Sequence, residues 1–168
     1  MASSSGDVIT ELRTYVSRDA VHSGETFKAA LRLMIGPEWH INANPASDEF
    51  LIPTGLEFSN DAPPFRVLDI IYPEAQMVRL GFSASDVAVY SENALIGALV
   101  KADASLKPGT YALEGKVTFQ ACNDVSCLPP ESRDFVMTIV VVESERETRD
   151  INKDVFGAIK FRPDASLL

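Results

Sequence analysis

Alternation of apolar and polar residues dominates the middle of the chain. From Thr26 to Ile35, Phe27, Ala29, Leu31, Leu33 and Ile35 fall on one side of an extended strand and their neighbours on the other, the period of two that marks a half-buried strand. The pattern returns over Thr110–Gln120, where Tyr111, Leu113, Val117 and Phe119 oppose Glu114, Lys116, Thr118 and Gln120, and again at Phe135, Met137, Ile139 and Val141. Val8–Ser17, Gly55–Phe58, Phe65–Tyr72 and Asn93–Lys101 read as shorter or less regular strands. Turn chemistry separates these runs, in His22-Ser23-Gly24, Asn60-Asp61-Ala62-Pro63-Pro64 and Lys107-Pro108-Gly109. No helical period interrupts them before residue 145. Many short strands with turns between them predict an all-β fold, two packed antiparallel sheets in an immunoglobulin-like sandwich.

The pattern changes after Val142. Glu143-Ser144-Glu145-Arg146-Glu147-Thr148-Arg149-Asp150 is a charged stretch that reads as a solvated linker or a short exposed helix. Beyond it, Val155, Phe156, Ile159 and Phe161 are apolar enough to dock the tail back on the sandwich. The expected organisation is therefore an added or disordered lead over residues 1–6, one domain over 7–142, and a linker or docked tail over 143–168. A chain of 168 residues suits a single domain, and 46% hydrophobic with 23% charged residues is an ordinary globular balance.

Charge narrows the partners. A formal net charge of -9 argues against nucleic acid, which is held by clustered Lys and Arg. The longest apolar run, Ile139–Val142 with Val136 and Met137 just before it, is far short of the roughly 20 residues that cross a bilayer, so no membrane insertion by this chain is expected. The opening Met-Ala-Ser-Ser-Ser-Gly has neither the basic nor the apolar region of a secretory signal.

Both cysteines lie in Cys122-Asn123-Asp124-Val125-Ser126-Cys127, between the alternating strand that ends at Gln120 and Leu128-Pro129-Pro130. Four intervening residues allow a turn that brings two Cα atoms within the roughly 4.4–6.8 Å a disulfide needs. Closing so short a ring constrains the unfolded chain little, and a domain of this size can bury a sufficient core unaided, so the bridge would be a poor staple. Spacing alone leaves a structural brace and a functional pair equally open. A metal site using His22 and His40 lacks finger-type spacing, and Cys–His nucleophilic catalysis with His40 as base lacks identifiable orienting and oxyanion groups. No metal or other cofactor is called for.

Several motifs taken together carry a resemblance. They are Trp39-His40-Ile41-Asn42-Ala43-Asn44-Pro45, Asp48-Glu49-Phe50-Leu51-Ile52-Pro53-Thr54, Tyr72-Pro73-Glu74, and above all Phe119-Gln120-Ala121-Cys122-Asn123-Asp124-Val125-Ser126-Cys127-Leu128-Pro129-Pro130. From about Val8 to Val142 the chain resembles the N-terminal periplasmic domain of DsbD-type protein-disulfide reductases. The resemblance implies an immunoglobulin-like domain that takes electrons from a thioredoxin-like or transmembrane part of the same membrane protein. It hands them to periplasmic oxidoreductases, among them disulfide isomerases and the thioredoxin-like protein of cytochrome c maturation.

Carried over residue by residue, Cys122 and Cys127 match the redox pair, with Cys127 the attacking thiolate and Cys122 the resolving one. A cap loop is expected within Pro73–Tyr90, with Phe82 as cap aromatic shortly before Tyr90. Trp39, His40 and Asn42 stand where the family lines its site with aromatics, so His and Asn in place of tyrosines are departures. A histidine there would titrate near neutral pH and act on a nearby thiolate. Asp124 would raise the thiol pKa. The chain also lacks the membrane segments and Cys-x-x-Cys domain of the family's full-length proteins, so it is expected to be an excised domain or one that works with a separate donor, and the charged segment after Val142 favours excision.

Overall fold

The computed structural model describes residues 8–59 and 64–162. The expected lead over residues 1–6 and residues 60–63 of the Asn60–Pro64 turn lie outside the described residues. Among the described residues twelve strands and one short helix follow in order: β1 (Ile9–Val16), β2 (Val21–His22), β3 (Thr26–Ile35), β4 (His40–Asn42), β5 (Gly55–Phe58), β6 (Phe65–Ile71), β7 (Gln76–Val78), β8 (Val87–Tyr90), β9 (Asn93–Ala102), β10 (Gly109–Phe119), β11 (Ala121–Cys122), β12 (Glu131–Val142) and α1 (Lys153–Gly157).

The long strands form two sheets, ordered β1-β3-β9-β6 and β2-β12-β10-β5. Their pairings are antiparallel except that β2 runs parallel to β12. Alternation decides what meets between them. Phe27, Leu31 and Leu33 of β3 and Ile96 and Val100 of β9 pack with Leu113, Val117 and Phe119 of β10 and Phe135, Met137 and Ile139 of β12 in one buried cluster. Edge-on contacts of Phe27 with Phe65 and of Phe58 with Phe135 fix the rings within it. The architecture is the all-β immunoglobulin-like sandwich that the alternation predicts.

Beyond the two expected sheets there is a third, ordered β11-β4-β8-β7. Its strands run from two to four residues, too short for a period of two to register in the sequence.

The chain after β12 does not form an exposed helix over 143–150; it turns at Glu143, whose carbonyl accepts from Arg146 N, and then runs along the end of β1. Ile151 N donates to Ser17 O at 2.9 Å, Asn152 Nδ2 to Val16 O at 2.9 Å, and Arg18 pairs with Asp150 at 2.6 Å. Helix α1 and the residues just after it then lay Val155, Phe156 and Ile159 over Ala30 and Ile71, on the outer face of the first sheet. Gly97 of β9 makes the seat: a β-carbon there would lie 2.8 Å from Ile159 Cγ2 and 3.0 Å from Phe161 Cζ. The outer face of that sheet is therefore covered where the tail docks. No helix among the described residues is long and apolar enough to cross a membrane.

Candidate functional site

The strand that carries the cysteines belongs to two sheets in succession. β10 pairs with β12 and β5 as far as Phe119; the chain then bends at Gln120, and β11 joins the third sheet against β4. Gln120 holds this bend. Its Oε1 accepts from Asn42 Nδ2 and Ile52 N, both at 3.0 Å, and its Nε2 donates to Leu128 O at 3.3 Å. One side chain thus ties β4, the 47–54 segment and the far arm of the cysteine turn together.

Cys122 and Cys127 face each other as an isolated antiparallel pair and are joined by a disulfide. Their Cα atoms are 4.0 Å apart, slightly closer than the expected span. The local ladder explains the closeness: Leu128 N donates to Ala121 O at 2.8 Å and Asn123 N to Ser126 O at 3.0 Å, so the cysteines occupy the intervening non-hydrogen-bonded position, where strands approach most closely. Asn123 shapes the turn, its Oδ1 accepting from Val125 N and Ser126 N at 2.9 and 3.0 Å. A ring this small contributes only about 2 kcal/mol through chain entropy.

The two sulfur-bearing residues differ in access. Cys122 is 1% exposed and sits in a small apolar cluster with Leu80, Val87 and Val89, whereas Cys127 is half-buried at its edge together with Leu51 and Val78. Asp124 is exposed at the tip of the turn.

The expected cap stretch is the β7–β8 hairpin, and its loop, residues 79–86, lies over the turn. The loop is closed by Leu80 N to Ser83 Oγ at 3.0 Å, Ser83 N to Leu80 O at 3.0 Å, and an Arg79–Asp86 ion pair at 3.1 Å. Between this loop and the 47–51 segment a cavity of about 530 Å³ reaches Cys122, with Asn42, Asp48, Leu51 and Phe82 among its walls. Phe82 is 47% exposed at that cavity, while Leu80, at 2%, is the loop residue buried in the Cys122 cluster. Leu51 and Gln120 lie within motifs that carry the resemblance but were given no role at the site, and Leu80, an apolar residue beside Gly81, was not singled out.

Strand register sorts the remaining expected residues. His40 is the direct cross-strand partner of Cys122, and its Nδ1 lies 2.6 Å from Ser91 Oγ. Asn42 lies two residues along, buried, with Nδ2 on Ile52 O and Gln120 Oε1. Trp39 and Tyr90 correct the expectation. Both pack into the sandwich core; Tyr90 pairs with Ile41, which like Ala121 faces that core, so it stands on the opposite side of the small sheet from Cys122. Tyr90 instead clamps the chain after β4, its OH accepting from Asn44 N at 3.1 Å. Burial pushes its phenol above the ordinary value, the hydrogen bond with the Asn44 backbone opposes, and Tyr72 adds a smaller upward push. His22 stands in β2 of the second sheet on Arg146 O, at 2.7 Å, away from the small sheet that holds His40. Among the described residues no three His, Cys, Asp or Glu side chains gather to hold a metal ion.

The sequence matches the family model described as thiol:disulfide interchange protein DsbD, N-terminal, over residues 12–139. The chain belongs to the DsbD N-terminal domain family. Among solved structures it is similar to the N-terminal periplasmic domain of ScsB from Proteus mirabilis, with 12% identity and a TM-score of 0.56 over 94% of this chain. It spans only 54% of that ScsB chain. It is also similar to the DsbD N-terminal domain of Neisseria meningitidis in the reduced form, at 15% identity and a TM-score of 0.45, covering 80% of this chain and 88% of that one. No curated protein matches the sequence. A DsbD-family domain is a thiol:disulfide interchange domain, and the one disulfide here stands at the end of its third sheet.

Proposed function

We propose that this domain is a periplasmic electron relay, a protein-disulfide reductase module working through Cys122 and Cys127. Its donor is a thioredoxin-like or transmembrane part of the same full-length protein, and its acceptors are thioredoxin-like periplasmic oxidoreductases such as disulfide isomerases and the thioredoxin-like protein of cytochrome c maturation. The observation that carries this reading is the unequal burial of the two cysteines within an exchange family: a partner thiolate meets Cys127 and not Cys122. Phe50, Ile52, Phe82, Val125 and Leu128 are exposed apolar side chains on the segments around the turn, a composition suited to a protein partner.

In the receiving half-reaction a donor thiolate attacks Cys127 Sγ, the Cys122–Cys127 bond breaks, and its electron pair leaves on Cys122 Sγ. The donor's second thiolate then attacks its own sulfur in the mixed disulfide and frees Cys127 as a thiolate, so two electrons have entered the domain. In the giving half-reaction Cys127 attacks the acceptor's disulfide, and Cys122 then attacks Cys127 Sγ, releasing the reduced acceptor and restoring the bond.

The test is the reduction potential of the pair, from thiol counts in glutathione or dithiothreitol buffers. A value in the range of thioredoxin-like proteins, roughly -120 to -270 mV, is expected. A value well below about -300 mV would mark a structural brace and leave a non-catalytic binding module. The order of attack is tested separately: Cys122→Ser should accumulate a mixed disulfide with a thioredoxin-like acceptor and Cys127→Ser should not. Equal trapping by both variants overturns the assignment.

A further inference from the structure

The relay reading leaves one chemical problem in the small sheet. Whenever the bond is reduced, negative charge must appear on Cys122 Sγ, the more buried of the two sulfurs, and burial in an apolar cluster disfavours a thiolate. The segments around it offer mostly the wrong sign. Glu38 precedes β4, Asp48 shares the cavity wall with Cys122, Glu92 follows β8, and Asp124 stands at the turn, while Arg79 of the covering loop is engaged with Asp86 at 3.1 Å.

His40 is placed to answer this. It is paired with Cys122 in the antiparallel register, so both side chains leave the same face of the sheet, with β-carbons about 4.5–5.5 Å apart. Ile41 and Ala121, the next pair, point the other way into the sandwich core, which confirms the facing. Ser91 Oγ, 2.6 Å from Nδ1, anchors the ring, so the second ring nitrogen, Nε2, is the one left to meet a sulfur. Of the elements packed against β4, β11 brings Cys122 and then Asp124, and β8 brings the core-facing Tyr90 and then Glu92; none brings a second cation.

We propose that His40 is a catalytic residue of the exchange, a general acid that supplies positive charge and a proton to the Cys122 sulfur as that sulfur leaves. This inference rests on the exchange reading above. As the Cys127–Cys122 bond breaks, the electron pair arrives on Cys122 Sγ and the imidazolium of His40 neutralises it, giving up its proton to form the thiol. On reoxidation the neutral imidazole takes that proton back as Cys122 Sγ attacks Cys127. The domain accepts electrons faster when the imidazole carries its proton, so the advantage that His40 gives the receiving step is lost as pH rises.

The test compares the rate of disulfide reduction by dithiothreitol in the wild type and in His40→Gln, at matched pH, so that the titration of the reagent cancels in the ratio. The expected ratio is about three- to tenfold in favour of the wild type at pH 5.5, falling to about one at pH 8.5. A flat ratio, whatever its size, overturns the proposal, because a purely structural histidine would slow the reaction equally at every pH. Ser91→Ala gives a second reading in a fold that keeps the imidazole: a shift in the midpoint of the pH profile is expected, and an unmoved midpoint counts against the anchored ring. If dithiothreitol leaves the bond intact in all three proteins, the exchange reading itself has failed; if it reduces them with flat ratios, only the role of His40 has.

Discussion

Gly81 rests directly on Asp124: a β-carbon on Gly81 would lie 2.5 Å from the Asp124 carbonyl oxygen. The loop over the disulfide is therefore held down by backbone contact with the cysteine turn and not by an aromatic side chain alone. Gly81→Ala should lift the loop. If the clash costs the closed state about 1 kcal/mol, opening rises about fivefold, and so should the rate of reduction by 2-mercaptoethanol. An unchanged rate would show that the contact does not gate access.

Phe82 and Leu80 stand differently in the loop over the disulfide, one exposed and one buried. Phe82→Ala, at a residue 47% exposed, should leave stability within about 0.5 kcal/mol and raise reaction with non-partner thiols. Leu80→Ala removes a side chain that is 2% exposed in the Cys122 cluster, and should cost about 2–3 kcal/mol in urea unfolding. Similar unfolding midpoints for the two variants would contradict this difference.

Reduction itself should leave the fold intact. The ring closed by Cys122 and Cys127 is short, and the sandwich core lies outside its cluster. Unfolding free energy should fall by about 2 kcal/mol on reduction, with unchanged far-ultraviolet circular dichroism. Loss of the sandwich on reduction would identify the bond as a staple.

The phenol of Tyr90 gives the domain an alkaline limit. Its folded pKa is raised above the ordinary 10.0, so the neutral form is the one the fold favours. Its contribution is fully present below the unfolded value and is lost as pH rises through the folded one. Thermal stability of the wild type should therefore decline above about pH 10 more steeply than that of Tyr90→Phe. At neutral pH the variant should be less stable by about 1 kcal/mol, through the lost hydrogen bond to Asn44.

The docked tail offers a change remote from the chemistry. Ile159→Ala empties the seat on Gly97 and should cost about 2–3 kcal/mol without altering the rate of exchange. A changed rate would link the tail to the small sheet.

How far the sequence revealed this molecule follows from element length. β3 and β10 run for ten and eleven residues, enough for alternation to mark both strand and buried face. β4 and β11 have three and two, and no period can be read from so few positions. The cysteine pair was legible because its whole motif is contiguous. Its neighbours were not, since they converge through pairing between distant segments: nothing local to His40 says that it stands opposite Cys122, and nothing local to Tyr90 says that it faces the core. In the covering loop Leu80 and Phe82 are both apolar, and only the fold shows that Leu80 is turned inward and Phe82 outward.

The asymmetry of the cysteine pair also bears on how a relay built on this hairpin handles its two partners. In the relay proposed above, with Cys122 buried and Cys127 half-buried, electrons arrive and depart through one sulfur, that of Cys127. Donor and acceptor then compete for a single berth. Such a domain works as a shuttle that must discharge one partner before it receives the other, with ping-pong kinetics and with each partner inhibiting the reaction of the other when present in excess.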